Sequence, residues 1–167
     1  MASPTSWWAR KAGQLGRHVA ARVRPVERRA LAEWLTPAQL ALFDGMPVAD
    51  RRHGLDVVAA LAVAGVRDPD LRLAGLFHDA GKGHSIRLWH RVAWSLGEFL
   101  GPWVHRLAAR LPGGGQAMAR LRDHAERSAE LARAAGCSPR AAALMRGAVE
   151  PRDEAALAAL HRADEAS

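Results

Sequence analysis

The sequence predicts an all-α fold, a compact multi-helix bundle of about six to eight helices. Three observations carry this reading. Alanine and leucine dominate, β-branched residues are scarce and tyrosine is absent, a composition that favours helices over strands. Apolar residues recur at helical rather than alternating spacing. A threonine, aspartate or serine followed by proline opens an apolar stretch three times, at Thr36-Pro37, Asp68-Pro69 and Ser138-Pro139, which is the cap-then-proline signature of a helix start. At 167 residues the chain is long enough for one substantial core.

Taken in order, residues 7 to 24 read as a basic amphipathic helix. Trp8, Ala12, Leu15, Val19 and Val23 share a face, and Arg10, Lys11, Arg17, Arg22 and Arg24 fill others. Such a helix suits docking on the body of the domain or lying on an anionic membrane surface. Pro25 separates it from a short helix ending near Leu35. Thr36-Pro37 opens a helix carrying Leu40 and Phe43, which Gly45-Met46-Pro47 breaks. The next runs from Val48 to Ala64 and carries His53 among Leu55, Val58, Ala59 and Ala62. Asp68-Pro69 starts the helix that ends in His78-Asp79, and Gly81 and Gly83 then permit a tight turn. A long helical stretch over 86 to 111 bends near Gly101-Pro102. Its stripe of Trp89, Val92, Leu96, Phe99 and Trp103 reads as core. Gly113-Gly114-Gly115 reads as a surface turn, since it lacks the Lys-Ser/Thr of a phosphate loop. A helix from Gln116 to Ala135 carries His124, another follows Ser138-Pro139 to about Val149, and the last runs from Asp153 to Asp164.

The formal charge is +7, and of 24 cationic side chains only Lys11 and Lys82 are lysines. A positive field favours anionic partners, although arginine spread over solvated helix faces gives the same total. No apolar run is long enough for a membrane-spanning helix, the N-terminus lacks the order of a secretory signal, and Cys137 is alone, so an internal disulfide is excluded. Cytoplasm is the default location.

The chemistry-bearing stretch is Leu76-Phe77-His78-Asp79-Ala80-Gly81-Lys82-Gly83. A buried His-Asp pair at the end of an apolar helix is unfavourable unless something satisfies it, and a bound cation does so. His53, His78, Asp79 and Asp164 are the candidate ligands, on three separated helices that a bundle can bring around one ion. Imidazoles with carboxylates make a nitrogen/oxygen site suited to one divalent transition metal: Mn²⁺, Fe²⁺, Co²⁺, Ni²⁺ or Zn²⁺.

These residues resemble the HD domain superfamily of metal-dependent phosphohydrolases. The family order is a histidine, then His-Asp, then a distant aspartate. Here it stands as Arg52-His53-Gly54-Leu55-Asp56, Leu76-Phe77-His78-Asp79-Ala80-Gly81-Lys82 and Leu160-His161-Arg162-Ala163-Asp164. The resemblance covers residues 30 to 167 and leaves 1 to 29 as a basic N-terminal segment. Met46 to Val57, with Trp89-His90, resemble a bacterial branch rather than any branch with a named substrate. The resemblance implies an all-α HD-domain bundle in which His53, His78, Asp79 and Asp164 hold the metal. It implies hydrolysis of a phosphomonoester or phosphodiester, often of a nucleotide, by water that the metal activates. Binuclear members carry two more histidines. His124, in Arg122-Asp123-His124-Ala125-Glu126, matches the first, but Ala148 stands where the second is expected, so a single metal is favoured. Glu150 could replace it only with a shift of about a turn.

Within that reading Asp79 orients the attacking water or accepts its proton, and Lys82 binds phosphate. His84, Arg87 and His90 follow on the next segment as further phosphate contacts. His124 donates a proton to the leaving group, holds phosphate or ligates. Arg51 or Arg52 contacts substrate or forms a surface ion pair. His18, His105 and His161 read as incidental. The substrate class is a small anionic phosphoester, with nucleic acid or an anionic membrane surface as weaker alternatives. The competing function is a catalytically degenerate module of the same fold that binds a nucleotide, RNA or an acidic partner.

Overall fold

The structure, a computed structural model, describes residues 21–167. The N-terminal amphipathic helix expected over residues 7 to 24 therefore lies almost wholly outside the described residues. Among the described residues there are ten α-helices and no strand. They are α1 (Pro25–Ala32), α2 (Pro37–Asp44), α3 (Val48–Val63), α4 (Pro69–Phe77), α5 (Leu88–Leu100), α6 (Trp103–Ala109), α7 (Gly114–Arg122), α8 (His124–Ala134), α9 (Pro139–Arg146) and α10 (Glu154–Ala166). Short 3₁₀ turns span Ala80–Lys82 and Pro151–Asp153.

All three cap-then-proline signals open helices. Thr36 Oγ1 accepts from the Gln39 N–H at 3.3 Å while Gln39 Oε1 accepts from the Thr36 N–H at 3.0 Å, a reciprocal box that satisfies two donors at once. Asp68 Oδ1 accepts from the Asp70 N–H at 2.9 Å, and Ser138 Oγ from the Ala141 N–H at 3.0 Å. The expected six to eight helices become ten because two long stretches break. Gly101, at φ +110°, turns the chain between α5 and α6, a conformation open to glycine and rarely to other residues. Asp123, at φ −97° and ψ 9°, interrupts the helix expected from Gln116 to Ala135.

The main core is built by α1–α4 and α8–α10. Its centre is α4, which packs against α3, α8, α9 and α10. Leu71, Ala74, Leu76 and Phe77 are buried on several sides of α4, as a helix surrounded by partners requires. A second, smaller core joins Ile86 to Ala108, Ala117, Met118 and Leu121, with Trp89, Ala93 and Trp94 packed against it. Here the expected core stripe fails in part: Val92, Phe99 and Trp103 are 42%, 44% and 54% exposed. Among the described residues α5 packs mainly on α6 and α7, and Arg91 ties it to Asp50 of α3. No helix among the described residues is long and apolar enough to cross a membrane.

Candidate metal centre

The site begins with a missing side chain. A Cβ on Gly54 would lie 2.4 Å from the carbonyl oxygen of Leu76, so only glycine lets α3 and α4 touch there. Their contact brings His53 of α3 to His78 at the end of α4, with ring centroids 5.1 Å apart and planes at 67°. The C-terminal end of α4 lies at this site, and the partial negative charge of a helix C-terminus favours a cation.

The imidazoles are oriented by their own backbone. His78 Nδ1 lies 3.0 Å from the carbonyl of Gly75, and His124 Nδ1 lies 2.6 Å from that of Leu121. A carbonyl oxygen only accepts, so each Nδ1 donates and each neutral ring keeps its lone pair on Nε2. His78 Nε2 then faces Asp164 Oδ1 at 3.4 Å and Asp79 Oδ1 at 3.6 Å. His124 Nε2 lies 3.8 Å from the same Asp79 oxygen, and His53 Nε2 lies 2.7 Å from Asp164 Oδ1. One ligand atom from each of His53, His78 and Asp79 falls within 4.8 Å of the others. Asp164 joins this group through the two histidines it contacts.

Asp79 is buried, and its second oxygen takes the ammonium of Lys82. Burial opposes a charge on Asp79, but Lys82, His78 and His53 outweigh it and hold the carboxyl well below the usual range. Burial also opposes ionisation of Asp164, and the bonds to His53 and His78 again hold it ionised. Burial disfavours the imidazolium of His78, yet Asp79 and Asp164 raise its pKa above the ordinary value. Two ionised carboxylates thus face directed imidazole nitrogens, a donor set that fits one divalent ion of borderline softness. The Nδ1–H bonds to carbonyls are the supporting contacts that metal-ligating histidines need.

Two residues essential to this geometry were not singled out in the sequence. Ser128 of α8 is fully buried; its Oγ donates to the His78 carbonyl at 2.6 Å and accepts from the Gly81 N–H at 2.9 Å. It thereby ties α8 across the His-Asp turn. A Cβ on Gly81 would meet the His124 carbonyl at 2.3 Å, so α8 presses directly on the turn and delivers His124 to Asp79. Asp50, one turn before His53, is buried and bonded to Arg91 of α5 at 2.8 Å. A lone serine on an alanine-rich helix and an aspartate in a helix's first turn carry no sequence signal of such roles.

The remaining candidates divide. His84, Arg87 and His90 do not enter the ligand cluster; they line an adjoining cleft of about 780 Å³ with Trp89, Arg120, Asp123 and Arg127. Arg52 is held by Glu27 at 2.7 Å and Asp56 at 2.8 Å, and Arg51 lies over the Phe43 ring. Glu150 is exposed and pairs with Arg152 at 3.1 Å, so it supplies no ligand in place of the histidine missing at Ala148. His105 stacks on Trp94, His161 is exposed, and His18 lies outside the described residues. Cys137 is buried, which raises its thiol pKa. Comparison of the chain with protein-family models, with curated proteins and with solved structures finds no match.

Proposed function

We propose that this protein is a metal-dependent phosphohydrolase of the HD type, acting on a small anionic phosphoester. The observation that carries the reading is the convergence of His53, His78 and Asp79, with ligand atoms within 4.8 Å of one another, on the carboxylate that also holds Lys82. His53, His78, Asp79 and Asp164 would hold the ion. When bound, a divalent cation supplies a Lewis acid for a phosphoryl oxygen and a lowered pKa for water.

The chain's own groups supply the rest. The Lys82 ammonium, fixed on Asp79, presents its remaining N–H donors to a phosphoryl oxygen and offsets its charge. Asp79, buried at the centre of the cluster beside His78, orients the attacking water and accepts its proton. His124 Nε2 reaches the same carboxylate from α8; its lone pair takes that proton from Asp79 and passes it to the leaving oxygen. A single ion fits better than two, because the one ligand cluster found among the described residues is His53, His78 and Asp79 and Ala148 offers no ligand.

Elemental analysis of the purified protein should give about one transition-metal equivalent per chain. With Mn²⁺, Co²⁺ or Ni²⁺ supplied, it should hydrolyse a generic phosphoester. Asp79→Ala should lower turnover by at least about 100-fold while the helical circular dichroism persists. Unchanged turnover in that variant would refute the assignment.

A further inference from the structure

The cleft beside the metal centre holds more positive charge than its neighbours neutralise. Arg87, Arg120 and Arg127 line it, and none of the three forms a hydrogen bond or ion pair with a carboxylate among the described residues. The one acid in the lining, Asp123, is already taken: both its oxygens accept from Arg122, at 2.8 and 3.1 Å. Arg122 first, and Arg127 more weakly, hold that carboxyl below its usual value. Arginine guanidinium groups gathered without acids repel one another and recover that energy by binding an oxyanion bidentately.

A second observation points the same way. His90 is buried, and its Nδ1 accepts from the Arg87 N–H at 2.9 Å. The neutral ring therefore carries its proton on Nε2, and that buried Nε2 has no partner among the described residues. A buried donor left unmatched is destabilising unless an acceptor arrives. Gly83 completes the wall: at φ +65° and with no side chain, it leaves room for the Arg120 guanidinium, which a Cβ there would meet at 2.9 Å.

We propose that this cleft is a metal-independent binding site for an oligophosphate, a chain of two or more linked phosphates, held by Arg87, Arg120, Arg127 and the Nε2–H of His90. Several separated guanidinium groups and a neutral donor match an extended anion better than a single phosphate. The volume, about 780 Å³, is that of a small-molecule site. The oligophosphate is either free or the tail of an organic molecule, and Trp89 in the same wall would stack on an aromatic group in the second case. None of these contacts is one of the candidate metal ligands, so the site does not depend on the proposed hydrolysis.

The test is calorimetric titration of the full chain, stripped of metal with a chelator, with inorganic tripolyphosphate and separately with adenosine triphosphate. Wild type should bind at least one of them, about tenfold or more weakly in Arg120→Gln/Arg127→Gln and in the exposed single variant Arg87→Gln. His53→Ala should bind as wild type does. A nucleotide preference abolished by Trp89→Ala identifies an organic tail; equal affinities identify a free oligophosphate. Binding lost equally in Arg29→Gln/Arg67→Gln, which removes the same charge from exposed sites elsewhere, would overturn the proposal. So would binding lost in His53→Ala, or no binding of either probe by wild type.

Discussion

The helices that hold the candidate metal centre and the α5–α6 hairpin beside them are built to different standards. Around the centre, Val57, Leu61, Leu76 and Phe77 are fully buried, and glycines let backbones touch. In the hairpin and its flanks, Leu88, Leu100, Trp103, Leu107 and Leu111 remain more than a third exposed. Apolar residues recur at helical spacing in both regions of the sequence. Periodicity reveals which side of a helix is apolar, but not whether another element exists to cover it.

The largest effect that tests this contrast is a matched pair of truncations. Leu61→Ala, at a site with no exposure, should destabilise by about 4 kcal/mol through lost transfer energy and a cavity. Leu107→Ala, 55% exposed, should change stability by no more than about 0.5 kcal/mol. Chemical denaturation reads both, and comparable losses would mean the hairpin face is covered in solution.

Next in size is the tie between the two regions. Arg91→Ala should cost about 3 kcal/mol, because it strands the Asp50 carboxylate in the core. Arg91→Ala combined with Asp50→Leu should recover much of that loss. A single variant as stable as wild type would show that the regions are energetically independent.

Ser128→Ala comes third. It leaves the Gly81 N–H without the hydroxyl that serves it, and should cost about 2 kcal/mol. It should also weaken uptake of Co²⁺, followed by its absorption spectrum, since α8 would no longer be tied across the turn. Wild-type metal affinity in this variant would remove Ser128 from the support of the centre.

The smallest effect lies at the periphery, in α1. Glu27 accepts from the Arg24 and Arg52 side chains. The Arg24 bond first, and the Arg52 bond beside it, lower its carboxyl from 4.5 to about 2 against the opposing effect of burial. A depressed folded-state value stabilises above pH 4.5 and is lost as pH falls toward about 2. Glu27→Gln should therefore cost about 1 kcal/mol at neutral pH, where Arg24 is largely solvated. The difference from wild type should vanish near pH 2, as thermal melts across this range would show.

Much of the fold and the centre was legible in the chain. Thr36, Asp68 and Ser138 marked helix starts because capping is local chemistry, settled within four residues. The His53, His78, Asp79 and Asp164 set was legible as residue types in order, and the structure brings those four side chains together. The breaks at Gly101 and Asp123 were harder, because a helix end there is decided by what each half packs against. Ser128 and Asp50 were illegible for a related reason: their partners, the His78–Gly81 turn and Arg91, lie more than 40 residues away in the chain.

The contact at Gly54 makes the spacing of the centre a one-way adjustment. Backbone already rests on backbone there, so α3 and α4 have no closer position to take. Any substitution at 54 can only widen the gap, by roughly the thickness of the atoms it adds. The separation of the two backbones that carry the histidines is therefore already at its lower limit, and an ion held between His53 and His78 would sit on a scaffold that can open but not close. Substitutions at residue 54 in order of increasing size would then act as a graded set of shims, moving the preferred ion from smaller to larger radius before the site is lost.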